Sequence, residues 1–244
     1  MQYFMDTTET IESGQGFSHF GGLHIAWLAI FVVVTVLNCI FYRRLSASGK
    51  KCWKTAVAML LIADEVFKVV MLLVGGRYQA GYLPLHLCSI NIFLISIHVL
   101  KPSKLLGGYL YTVGIPGTLA ALLFPSWTAL PLLNFMHIHS FTVHILLALY
   151  PIVLVTAGEI APQVKKIPQY LLLLVGMAIP IYGINLLLDT NFMFLMSADE
   201  GNPLYIFEQL WGNHLYGFPV LITAVLVVMY VPLFVFRKIK SKRV

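Results

Sequence analysis

Charge is scarce in this chain. Of 244 residues only 11% are Asp, Glu, Lys or Arg, against about 25% in an ordinary soluble domain. With 59% hydrophobic residues beside it, that shortage excludes a water-solvated core as the main destination of the apolar side chains. Cysteine is nearly as rare. Cys39, Cys52 and Cys88 are the three present, and their scatter excludes a disulfide framework and a thiolate zinc site, both of which need paired spacings. Any cysteine chemistry rests on one thiol. No basic, signal-like leader precedes the first apolar run, which begins near Gly21 behind a polar, acidic segment, so the first span is expected to stay in the mature protein. No strand–turn–helix setting surrounds Gly107, Gly108, Gly114 and Gly117, so these read as close helix packing rather than a phosphate loop.

What is abundant is apolar sequence in runs of about 20 residues, the length of helix that crosses about 30 Å of hydrocarbon. The runs predict an all-α, polytopic bundle of seven transmembrane helices at about Gly21–Tyr42, Lys54–Val74, Leu83–Leu100, Leu105–Phe124, Phe141–Ala157, Tyr170–Leu188 and Leu215–Phe236. Pro84 suits the first turn of the third, where its missing N–H has no helical partner to lose. No repeat or long linker divides the chain, so residues 1–244 read as one domain with a 1–20 extracytoplasmic leader and a basic 237–244 tail.

The net charge of +6 is set out in short segments between spans and acts as a topology signal, so no nucleic-acid partner is expected. Arg43, Arg44, Lys50, Lys51 and Lys54 follow the first span, Lys101 and Lys104 the third, and Lys165 and Lys166 the fifth. Arg237, Lys238, Lys240, Lys242 and Arg243 follow the last. The positive-inside rule puts these in the cytoplasm of a multi-pass cell-membrane protein. Asp6, Glu9, Glu12, Arg77, Asp189, Asp199, Glu200 and Glu208 fall on the other side, which places the N-terminus outside.

On that topology the ionisable groups gather toward the outer half of the bilayer. His19, His24, His86, His137, His139, His144 and His214 all lie near outer helix ends, and only His98 lies at the inner end. Amphipathic rings are also at ease in the headgroup layer. Asp64, Glu65 and Lys68 are different, because a charge at membrane depth costs about 2.5–3.5 kcal/mol and so faces the bundle interior with a partner. Lys68 is three residues from Glu65 and four from Asp64, within reach of either on a helix.

Cys88 is the candidate nucleophile, a thiol needing a base or a positive field to ionise. In a helical segment His86, two residues away, points about 200° away from it, so the base is expected from another helix, with His139 and His144 at matching depth. Asn91, one turn on, can hold an oxyanion, with Asn185 and Asn191 as further donors and Glu65 and Lys68 as orienting groups. An alternative is a zinc-dependent hydrolase: His137-x-His139 in a loop, with His214 and Asp64 (or Glu65), supplies imidazole and carboxylate ligands. Otherwise no cofactor is expected. A third reading is a small-solute or proton-coupled transporter with Glu65 and Lys68 along its path.

Leu83-Pro84-Leu85-His86-Leu87-Cys88-Ser89, Glu65, the Gly-rich fourth span ending at Pro125, His139-Ser140, and Asn185 with Thr190-Asn191-Phe192-Met193-Phe194-Leu195 together resemble the bacterial YwaF-type integral membrane proteins. These are similar in turn to eukaryotic transmembrane protein 164. The resemblance covers nearly the whole chain and is most specific at 83–89. It implies a membrane-embedded acyltransferase or lipid-ester hydrolase acting on phospholipid, with Cys88 as nucleophile and His139 as base. This chain departs from the family at Phe192, where tyrosine is common.

Overall fold

In the computed structural model the described residues are 3–198 and 202–241, the side chains of 232 and 234–241 excepted. Asp199, Glu200, Lys242 and Arg243, part of the expected acidic stretch and basic tail, lie outside them. The described chain is helical, without strands: α1 (Gly22–Arg44), α2 (Ala47–Val74), α3 (Leu87–Leu100), α4 (Lys104–Tyr109), a π turn (Leu110–Gly114), α5 (Ile115–Leu123), α6 (Phe135–Thr156), α7 (Ile167–Leu188), α8 (Pro203–Trp211) and α9 (Gly217–Ser241). Short polar side chains start several of these by taking N–H groups left free in a first turn. Ser46 accepts from Gly49, Ser103 from Leu106, Asn134 from Met136 and His137, and Asn202 from Leu204.

Six segments among the described residues are long and apolar enough to cross a membrane: Gly22–Arg44, Ala80–Leu100, Lys104–Leu123, Phe135–Thr156, Val164–Leu188 and His214–Val231. The remaining expected span is α2. At 28 residues it has the length, and it is set apart by the charges of Asp64, Glu65 and Lys68. It packs against both α3 and α6. Its outward side, with Leu60, Val66, Phe67 and Leu73, is exposed and apolar, whereas Glu65 and Lys68 are 7% and 6% exposed and form an ion pair. Exposed hydrocarbon on one side and a satisfied charge pair on the other is the arrangement a low-dielectric solvent demands.

Helix α2 starts at Ala47, seven residues before the expected Lys54, because Ser46 caps it, and two further differences from the sequence expectation matter for chemistry. The helix carrying the histidines starts at Phe135, six residues before the expected Phe141, because Asn134 caps it. His137 and His139 therefore stand two apart on a helix and diverge, rather than converging from a loop on one metal. The 83–86 segment is a turn after a 3-10 stretch at Ala80–Tyr82, so Pro84 precedes the helix and His86 is its extended N-cap residue. The 200° argument that separates His86 from Cys88 does not hold for a residue outside the helix.

The bundle is tied at both ends. At the leader end Arg77 pairs with Asp6 at 2.8 Å, Tyr82 donates to Glu9, and Asn134 donates to the carbonyls of Tyr3 and Asp6. At the basic end Glu159 accepts from Tyr42 at 2.8 Å and Lys54 at 2.9 Å, with Lys50 at 3.6 Å, joining α1, α2 and the end of α6. Burial of Glu159 works against its ionisation, but the hydrogen bonds from Lys54 and Tyr42 outweigh it and hold the carboxyl below the usual range. Gly108 seats the Tyr170 ring of α7 so closely that an added Cβ would overlap it, as expected of glycines at a tight helix crossing.

Candidate active site

The site is built where α2, α3 and α6 meet below the leader end. Cys88 is the second residue of α3, partly buried among core residues and free of disulfide. His86, the N-cap, makes no capping hydrogen bond with its side chain. Among the described residues the N–H groups of Leu87, Cys88 and Ser89 have no hydrogen-bond acceptor, the first bond of this end being Ile90 N–H to His86 O. The thiol thus sits in a cluster of unspent amide donors and in the positive end of a helix dipole. Asn91, one turn on and facing the same way, is 1% exposed with both amide atoms unpartnered.

Helix α6, which packs against α3, carries two histidines in different settings. His144 donates from Nδ1 to the Ser140 carbonyl, which leaves Nε2 as the acceptor nitrogen, and its ring stacks on Trp127 at 5.1 Å. His139 precedes it by five residues on the same helix. His139 Nδ1 stands 3.0 Å from Asp64 Oδ2, an electrostatic contact outside hydrogen-bond alignment, since neither atom counts as hydrogen-bonded. Glu65 and Lys68 satisfy each other beside this pair. Tight packing and neutralised charge leave the free valences of the site on Cys88, Asn91, His144 and the Asp64–His139 pair.

The other candidates are engaged elsewhere. Asn185 accepts from Phe192 N–H at 2.8 Å and from Thr190, and donates to the Phe192 carbonyl. Asn191 holds Met196 and Ser197 in the same way. Together they brace a loop with Asp189, Met193 and Phe194 at positive φ. That loop presses fully buried Phe192 edge-on against His86 at 5.1 Å. His137 accepts from Trp27 and donates to the Leu130 carbonyl, and His214 donates to the Phe194 carbonyl. Among the described residues no group of three or more His, Cys, Asp or Glu is placed to hold a metal ion. The residues proposed for zinc do not converge: His137 and His214 are spent on backbone and indole partners away from Asp64–His139.

Two contributors were invisible in the sequence. Trp127 stacks on His144 with its Nε1 unpartnered, and Tyr109, 0% exposed with a free hydroxyl, lies within coulombic reach of Cys88. Trp127 falls between the expected fourth and fifth spans, and Tyr109 within the fourth. Only the π turn that follows Tyr109, a form that recurs at functional sites, marks its place, and nothing in the sequence announces a π turn.

The sequence model described as the TMEM164 family matches residues 19–230. The chain belongs to the TMEM164 family. That match takes in every residue of the site of this TMEM164-family protein and runs into the last span, ending at residue 230. No curated protein matches the chain, and no solved structure does.

Proposed function

We propose that this TMEM164-family protein is a membrane-embedded acyl-transfer enzyme acting on phospholipid esters, with Cys88 as nucleophile and His144 as proton shuttle. The observation that carries the reading is the setting of Cys88: a lone thiol at a helix N-terminus, among three unpaired backbone N–H groups and a buried, unpartnered asparagine amide. Orphaned buried donors cost about 1–3 kcal/mol each, and a developing oxyanion is the kind of charge they are built to meet.

The steps follow from the donors present. His144 Nε2 takes the thiol proton, and Sγ attacks the acyl carbonyl. The tetrahedral oxyanion is held by the amides of Cys88 and Ser89 with Asn91 Nδ2. Collapse breaks the ester C–O bond, and the proton on His144 passes to the departing lysophospholipid oxygen, leaving an acyl thioester. An acceptor hydroxyl then gives its proton to His144 and attacks the thioester, and the departing thiolate takes that proton back from His144, which restores the resting pair. With water as acceptor the same steps give hydrolysis. His144 is preferred to His139 because its Nδ1–H is fixed on the Ser140 carbonyl, which leaves Nε2 as the basic nitrogen, whereas His139 Nδ1 makes no aligned hydrogen bond that would set its tautomer. In this reading α2 is the seventh span, the basic end is cytoplasmic, and substrate comes from the outer leaflet.

Replacing His144 tests the assignment. In reconstituted protein given labelled phospholipid, His144→Gln is expected to slow acyl transfer about 10²–10⁴-fold, the usual worth of a positioned base, and His139→Gln to slow it less. Full activity in His144→Gln with loss in His139→Gln would reverse the roles.

A further inference from the structure

At the basic end, away from the thiol, α4 and α7 leave an apolar groove of about 530 Å³ lined by Leu105, Gln169, Leu172, Leu173, Gly176 and Met177. Its volume falls in the range of about 300–1,000 Å³ of small-molecule sites, and its walls are hydrocarbon apart from Gln169. A side chain at Gly176 would meet open space, so the glycine leaves that part of the groove empty. The mouth is cationic. Lys104 directly precedes Leu105, and Lys165 and Lys166 stand in the turn before α7, one helical turn from Gln169. Among the described residues these three lysines, and nearby Lys101, form no ion pair, and the acid of that end, Glu159, is taken by Lys50 and Lys54.

An apolar furrow in a membrane face with unneutralised cations at its rim fits one kind of occupant. We propose that the α4–α7 groove binds an anionic phospholipid of the leaflet on the basic side, one acyl chain lying along Leu172, Gly176 and Met177 and the headgroup phosphate held by Lys104, Lys165 and Lys166. Charge complementarity selects the anionic headgroup, because basic pockets between helices at that depth hold phosphate while the stems of the lysines lie along the apolar wall. The groove is formed by other helices than those that carry Cys88 and His144, so it is a separate site that holds whatever the reaction proves to be.

Native mass spectrometry of the full chain, released from detergent with an equimolar mixture of phosphatidylglycerol and phosphatidylcholine, is the test. Wild type is expected to retain one phosphatidylglycerol at least about five-fold over phosphatidylcholine, the preference that a single lysine at an anionic surface supplies. Lys104→Ala/Lys165→Ala/Lys166→Ala is expected to lose the preference and keep the chain. Gly176→Phe, which fills the groove from a position with room for it, is expected to lose the bound lipid of either headgroup with its thermal midpoint unchanged. Glycerol phosphate, which has no chains, is expected not to compete. Equal retention of both lipids by wild type, wild-type retention by Gly176→Phe, or displacement by glycerol phosphate would each overturn the proposal.

Discussion

Cys88→Ala is expected to reduce phospholipid acyl turnover by at least about 10³-fold, the scale on which losing a nucleophile registers when the rest of a site is intact. Its thermal midpoint should stay near that of wild type. The side chain is small and partly buried and makes no hydrogen bond that the fold relies on. Cys39 and Cys52 are the internal controls: Cys39 accepts a weak contact from Thr156 in the α1–α6 seam, and Cys52 is exposed at the basic end of α2. Neither stands near unpaired amides, and alanine at either should leave turnover unchanged. Turnover by Cys88→Ala at the wild-type rate, with labelled phospholipid in the same vesicles, would remove the thiol from the chemistry.

The second large effect concerns stability. Glu65 and Lys68 are nearly fully buried and have each other as partner, so removing one leaves an unpaired buried charge. Glu65→Met or Lys68→Met alone is expected to cost about 3–5 kcal/mol. The double variant should recover most of that, because a buried ion pair replaced by apolar groups of like volume is often neutral. Unfolding in mixed micelles titrated with denaturing detergent reads all three. Single variants no worse than the double would mean that the pair is hydrated.

The fold was legible because one solvent dictates it. Runs of apolar residues of membrane length, and lysines set between them, follow from hydrocarbon thickness and need no knowledge of contacts, so the spans could be placed within a few residues. Where they slipped, a local polar signal was overlooked: Asn134 is a strong N-cap and starts α6 six residues early. The pairing in α2 was readable in part, since Glu65 and Asp64 both lie within helical reach of Lys68 and only the structure selects Glu65. The site was less so. Asp64 meeting His139 joins residues far apart in sequence, and no spacing rule foretells it. Asn185 and Asn191 have the composition of oxyanion donors, and only the loop geometry reveals that their amides brace Phe192 and Ser197. His86 was set aside on a helical assumption that the turn at 83–86 removes. The free N–H groups beside Cys88 belong to the backbone and have no residue type to betray them.

The acyl-thioester itself is the most direct object to look for. Wild-type protein in vesicles, given phospholipid with an isotopically labelled acyl chain, quenched in acid within the first turnovers and digested, should yield the labelled acyl group on the peptide containing Cys88, removable by neutral hydroxylamine and accumulating in His144→Gln only slowly. A preparation that turns over phospholipid while that peptide stays unmodified, or carries the label on another residue, would contradict covalent catalysis by Cys88.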